Sequence, residues 1–236
     1  MSEKNALKRI INKDLKELSN KKLNENGIYF HFDEDNMMKA KSMIVGPKGS
    51  LYEGGFLFFN IVFPKNYPFS PPDISYVSRN NIRIHPNIYV GGHQESGYGK
   101  VCLSILGTWS GPKWTTIMDI TTVLLCIQSL LDSNPFHHEP GQHNNNSPAV
   151  MLYNEVIRYE AIHTLLIKNY VDTPISFNIF NEEMVKEINN NKENITKIIE
   201  SFKNKKNKKI SINFYRINTI LDYKGLYNKY KELFKI

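Results

Sequence analysis

The chain has 236 residues, enough for one sizeable domain or one domain with an extension, and enough to bury a core without disulfides or metal. Its hydrophobic fraction of 41% is that of a globular protein, and its net charge of +7, from 30 Lys+Arg against 23 Asp+Glu, suits an acidic partner or nucleic acid. Two cysteines, Cys102 and Cys126, exclude a disulfide framework; with a charged N-terminus lacking a signal-peptide apolar region, and no apolar run long enough to span a membrane, a cytosolic or nuclear protein is expected.

Residues 5–18 predict an amphipathic helix, with Leu7, Ile10, Ile11, Leu15 and Leu18 on one face. Lys8, Arg9, Lys13 and Lys16 fall largely elsewhere, as a solvated basic face or a docking surface for an acidic partner. Residues 27–32, 39–45 and 56–63 predict strands separated by turn-forming residues. A fourth short strand, 74–77, follows the prolines at 68, 71 and 72. Hairpin spacing implies an antiparallel meander. The aromatic before Pro68 makes Tyr67–Pro68 a candidate cis peptide.

Residues 80–115 are rich in Gly, Asn and Pro and show little periodicity, which in a compact domain points to a functional segment. Within it, Cys102 follows Gly97 and Gly99, which permit close backbone approach. His85-Pro86-Asn87 lies upstream and offers a side-chain amide able to stabilise an oxyanion. Residues 117–131 predict a helix capped by Asp119 or Thr115, with Cys126 a core residue among Leu124, Leu125, Ile127 and Leu130. Residues 148–170 predict another helix, with Pro148 in its first turn. Residues 180–203 and 221–235 predict two more, joined by a polar segment near 203–212. The basic run at 203–209 reads as a solvated loop. The fold class is α+β.

Three segments in order resemble the ubiquitin-conjugating enzyme family over roughly residues 5–170. They are Phe63-Pro64-Lys65-Asn66-Tyr67-Pro68-Phe69-Ser70-Pro71-Pro72, then His85-Pro86-Asn87 with Cys102-Leu103-Ser104-Ile105-Leu106 and Trp114, then residues 123–131. A narrower resemblance, to the large "Z" class with a C-terminal extension, lies in residues 106–114, in Asn134-Pro135-Phe136-His137-His138-Glu139-Pro140-Gly141, and in Tyr153-Asn154-Glu155 through Arg158. The resemblance implies an N-terminal helix, a four-stranded antiparallel meander, an active-site loop and C-terminal helices over residues 1–170. It implies a helical extension, residues 171–236, packed on or near that core.

The implied activity is an acyltransferase's. Ubiquitin or a ubiquitin-like modifier is accepted from an activating enzyme as a thioester on Cys102 and passed to a lysine amine or a ligase. No cofactor is implied, since ATP is used upstream by the activating enzyme. The implied partners are the modifier, the activating enzyme, ubiquitin ligases and protein substrates, with no membrane. The alternatives are a catalytically inactive binding module of the same fold and, from charge alone, nucleic-acid binding, for which no motif is present.

By resemblance Asn87 stabilises the oxyanion or braces the loop, His85 holds that loop, and Pro86 fixes the chain direction. His138 or Glu139 supplies a group that orients the incoming lysine. Phe69 with Thr115 and Thr116 forms a ligase-docking surface, and Lys8 and Arg9 contact the activating enzyme. Two features depart from the family pattern. Asn87 and Cys102 are 15 positions apart, wider than usual, with the extra residues within 90–98 expected as a Gly-rich surface loop. Thr115-Thr116 stands where many relatives have Ser-Pro. His93 and Glu95 in the loop are too few to hold a metal. The chemistry requires that water reach the Cys102 sulfur and that the Asn87 amide lie close by.

Overall fold

In the computed structural model, which describes residues 3–94 and 96–235, the opening amphipathic segment is one helical run. It comprises α1 (Glu3–Arg9), a wider π-helical stretch (Ile10–Asp14) and α2 (Leu15–Asn20). Its inner face buries Ala6, Ile10 and a carboxylate, Asp14. A buried charge needs partners. Asp14 has three: the Tyr67 hydroxyl at 2.6 Å, the Ile120 amide at 3.0 Å and the Arg9 guanidinium at 3.2 Å. The helix is thereby tied to the loops on either side of the sheet.

The four expected strands form as an antiparallel meander: β1 (Ile28–Phe32), β2 (Lys39–Val45), β3 (Phe56–Val62) and β4 (Asp73–Tyr76). The sheet, however, has six strands. The segment expected to be irregular supplies β5 (Ile88–Gly92) and β6 (Gly99–Val101), in the order β1-β2-β3-β4-β6-β5. Their glycines hide them, because a strand without side chains shows no alternation. Gly99 is required there: a Cβ would stand 1.8 Å from the Tyr89 carbonyl oxygen.

Behind the sheet lie α3 (Ile120–Leu130), α4 (Pro148–Glu160), its wide-turn continuation Ala161–Lys168, and α5 (Asn169–Val171). Asp119 caps α3, accepting from the Thr122 amide at 2.9 Å. Cys126 is half-buried at the edge of the core, not within it as expected. The Tyr67–Pro68 peptide is cis.

The extension holds a 3-10 turn (Ile175–Phe180), α6 (Asn181–Glu200), a hairpin of β7 (Lys208–Ile212) and β8 (Ile217–Leu221), and α7 (Tyr223–Phe234). It is not wholly helical. The basic run masks β7, whose alternation is short: Ile210 and Ile212 face inward on either side of an exposed Ser211. The run is not simply a solvated loop either, since Lys205 and Lys208 pair with Glu155 of α4. The extension packs on the sheet. Four consecutive β3 residues, Phe56 to Phe59, are buried, so both faces of that strand are covered. Phe177 and Phe180 lie 4.8 and 6.5 Å from the Phe58 ring, and Tyr29 donates to Glu187 of α6 at 2.5 Å. Among the described residues no helix is long and apolar enough to cross a membrane, and no group of three or more metal-ligating side chains is present.

Candidate active site

The β5–β6 hairpin brings the two expected catalytic residues together. Ile88 pairs with Val101, so Asn87 and Cys102 face each other at the open end of the hairpin. The Cys102 amide donates to the Asn87 carbonyl at 2.8 Å, and Asn87 Nδ2 donates to the Cys102 carbonyl at 2.9 Å. This explains how a wide spacing is tolerated. Residues added to both arms of a hairpin lengthen it away from the mouth and leave the mouth unchanged. The far end is fixed to β4, where His93 Nε2 lies 2.8 Å from Asp73 Oδ1. Glu95 lies outside the described residues. Asn87 acts here as a loop brace, and its Nδ2 carries a second N–H.

The Cys102 side chain is not open to water: the residue is 2% exposed. Burial pushes its pKa above the ordinary value, opposed by the Lys100 charge, the Tyr89 hydroxyl and the Arg83 charge. These three side chains are only half-buried. The sulfur is therefore flanked by half-buried polar side chains rather than set within the apolar core.

His85 is fully buried, and its Nδ1 accepts from the Asn87 amide at 2.9 Å. Burial first, and then the neighbouring His138, push its pKa down to about 3. An imidazole this weakly basic, with Nδ1 already taken by the Asn87 amide, holds the loop and makes a poor general base. Pro86 is buried, and its carbonyl accepts from the Arg83 guanidinium. His138 pairs through Nε2 with Asp132 at 2.9 Å, its ring 5.0 Å from that of His85. Glu139 instead accepts from the Tyr215 hydroxyl. Among the described residues neither makes a hydrogen bond to Cys102 or Asn87.

In the loop between β3 and β4 Phe69 is 58% exposed, and Thr115 and Thr116 are exposed as well. Ile117 is 77% exposed; it was expected inside the helix, but α3 starts three residues later. Trp114 Nε1 donates to the Pro68 carbonyl at 2.7 Å and joins the two loops. Lys8 is exposed, as a docking cation should be. Arg9 is not free. It donates to the Met118 carbonyl at 2.7 Å, pairs with Asp14 and lies over the Tyr67 ring at 5.7 Å, so it braces the flank from behind. Sequence reasoning also missed Arg83, Tyr89 and Tyr215. Their only sequence signal is the nearness of Arg83 and Tyr89 to the His-Pro-Asn segment.

Comparison with known proteins identifies the family. The family model described as ubiquitin-conjugating enzyme matches residues 10–166. Ubiquitin-conjugating enzyme E2 Z of Danio rerio is 41% identical over 139 residues, 58% of this chain and 40% of that protein. The Homo sapiens protein of that name is 42% identical over 139 residues, 58% of this chain and 37% of its own. A probable ubiquitin-conjugating enzyme protein 17 of Caenorhabditis elegans is 39% identical over 122 residues, 49% and 16% of the two chains. A solved ubiquitin conjugating enzyme E2 domain of Toxoplasma gondii is 28% identical, with TM-score 0.46, over 62% of this chain and 92% of its own. The chain thus spans less than half the length of the curated relatives it matches.

Proposed function

The chain belongs to the ubiquitin-conjugating enzyme family, and from that premise we propose that it is an active acyltransferase carrying its modifier on Cys102. The Cys102 thiolate attacks the modifier's C-terminal thioester carbonyl on the activating enzyme. A tetrahedral oxyanion forms, the activating enzyme's thiolate leaves, and a new thioester stands on Cys102. A lysine amine then attacks that carbonyl. The C–S bond breaks, an amide bond forms, the ammonium proton passes to solvent and the Cys102 thiolate is released. Transthioesterification exchanges like for like, so positioning counts for more than a strong base. This fits a site whose histidine is neutral and loop-bound. The second N–H of Asn87 Nδ2 is the donor for the oxyanion, with the first holding the loop.

The observation that carries this reading is the reciprocal Asn87–Cys102 pairing at the hairpin mouth. The exposed Phe69, Ile117, Thr115 and Thr116 surface is the ligase-docking face, and Lys8 is the cation left for the activating enzyme. No cofactor acts at the site, ATP being consumed upstream, and the setting is cytosolic or nuclear. Nucleic-acid binding is not favoured: Arg9, Lys205 and Lys208 are engaged with carboxylates of the same chain.

The test is a panel of activating enzymes and modifiers with ATP, read on a non-reducing gel. A DTT-sensitive adduct that disappears in Cys102→Ala supports the reading. No adduct with any pair sinks it. An adduct that survives the substitution would move the chemistry to another residue.

A further inference from the structure

Arg83 is clamped between two tyrosine rings, its guanidinium carbon 3.6 Å from the Tyr89 centroid and 4.3 Å from that of Tyr215. Tyr89 belongs to β5, one residue beyond the Ile88–Val101 pair and so on the face of Asn87 at the hairpin mouth, and its hydroxyl is one of the groups that oppose the upward shift of the Cys102 thiol. Tyr215 belongs to the turn between β7 and β8, in the extension. The same guanidinium donates to the carbonyls of His85, at 3.4 Å, and of Pro86, the two residues before Asn87. The Tyr215 hydroxyl donates to Glu139. One side chain of the extension thus touches both the support of the thiol loop and Glu139, one of the two groups expected to orient an incoming lysine.

The turn is shaped for this contact. Tyr215 and Arg216 have φ values of 58° and 51°, a left-handed conformation that side chains with a Cβ disfavour. Hairpin connections commonly use such φ values, and here the surroundings hold them in place. The surroundings are aromatic. Phe214 lies 4.4 Å from the Phe136 ring and 5.5 Å from that of Tyr153, and the Tyr153 hydroxyl donates to the Arg83 carbonyl at 3.0 Å.

We propose that Tyr215 is a positioning residue of the active site: through Arg83 it holds Tyr89 over the Cys102 thiol, and through its hydroxyl it fixes the Glu139 carboxylate for the acceptor amine. The role in transfer rests on the conjugating reading above. The cover over the thiol does not.

Two measurements on the full chain separate them. One is the rate of Cys102 alkylation by iodoacetamide, followed by peptide mass spectrometry with Cys126 as internal control. The other is single-turnover discharge of the ubiquitin-charged chain to free L-lysine over a lysine concentration series. Tyr215→Phe keeps the clamp and loses the hydroxyl. Its alkylation is unchanged, and its discharge slows by roughly tenfold, below the ~10²-fold cost of an ångström-scale misplacement, mainly through a higher half-saturating lysine concentration. Tyr215→Ala also loses the clamp: Cys102 alkylates faster, Cys126 does not, and discharge slows at least as much. A merely structural Tyr215 would lower the fraction of chargeable protein and leave the rate constant per thioester unchanged.

The proposal is overturned if both variants stay within about twofold of the parent in Cys102 alkylation and in discharge. If Tyr215→Ala unfolds, seen as faster alkylation of Cys126 as well, the discharge constant of Tyr215→Phe alone decides, a slower one supporting the proposal and an unchanged one overturning it. Should the parent chain fail to charge at all, the conjugating reading falls, and Cys102 alkylation in Tyr215→Ala still tests the clamp.

Discussion

The Phe69 loop is bare, and the hairpin that carries Cys102 is covered by the chain itself. On the bare flank Phe69 and Ile117 stand out into solvent, and the loops beneath them are held by Trp114 and Arg9 donating to main-chain carbonyls. On the covered flank Phe136, Tyr153, Phe214 and Tyr215 pack around Arg83. Two of those rings come from outside the family-matched residues 10–166. Bracing through carbonyls fixes a loop while leaving its side chains free for a partner. Bracing by aromatic packing uses up the surface that a partner would need. Under the proposed function, partner exchange falls to the Phe69 loop, while the Arg83 side is packed in cis by the extension.

Substitutions sharpen that contrast in order of size. Phe180 is fully buried against Phe58 and Phe177, so Phe180→Ala should cost about 3–5 kcal/mol in denaturant unfolding. A loss near zero would mean that the extension does not cover the sheet. Arg9→Ala removes charge-assisted hydrogen bonds and leaves buried Asp14 without its cation, and should cost about 1–3 kcal/mol by the same measurement. An unchanged midpoint would return Arg9 to the role of a free docking cation.

Glu155→Gln should cost about 1 kcal/mol or less, because Lys205 and Lys208 are partly exposed. Burial alone would raise the Glu155 pKa, but the hydrogen bonds from Lys208 and Tyr223, with the charges of Lys208 and Lys205, outweigh it and hold the carboxylate below its ordinary 4.5. Its folded value being depressed, its stabilisation is present above pH 4.5 and is lost as the pH falls through the folded value. Melting curves on either side of that pH should show a steeper slope in the parent than in the Gln variant, which keeps only the share of other depressed carboxylates such as Asp119 and Asp132. Smallest of all, Phe69→Ala should change stability by less than about 0.5 kcal/mol, since the ring is exposed. The same variant should nonetheless lose the acceleration of discharge by a RING-type ligase. A large stability loss there would erase the difference between the flanks.

The sequence was most legible where periodicity is local. Strands β1 to β4 and the helices α3, α4, α6 and α7 follow from alternation or 3.6-residue spacing. The hairpin β5–β6 was hidden because Gly91, Gly92 and Gly99 remove side chains that alternation needs, and β7 because lysines surround a pair of isoleucines. At the site, Cys102 and Asn87 could be read from their motif. The cover over the thiol could not, because Arg83, Tyr89 and Tyr215 meet only once the extension has folded back. Arg9 misled for a like reason. Its partner Met118 is 109 positions away, and no local pattern distinguishes a braced cation from a solvated one.

The central claim is that the hairpin mouth pairs a transferable thioester with an amide that stabilises its oxyanion. The most direct test is the single-turnover rate constant for discharge of the charged chain to L-lysine, parent against Asn87→Ala. A fall of about 10²-fold or more in discharge, with Cys102 still charged, is the result predicted here. Equal rate constants per thioester would leave Asn87 a brace alone and contradict the claim.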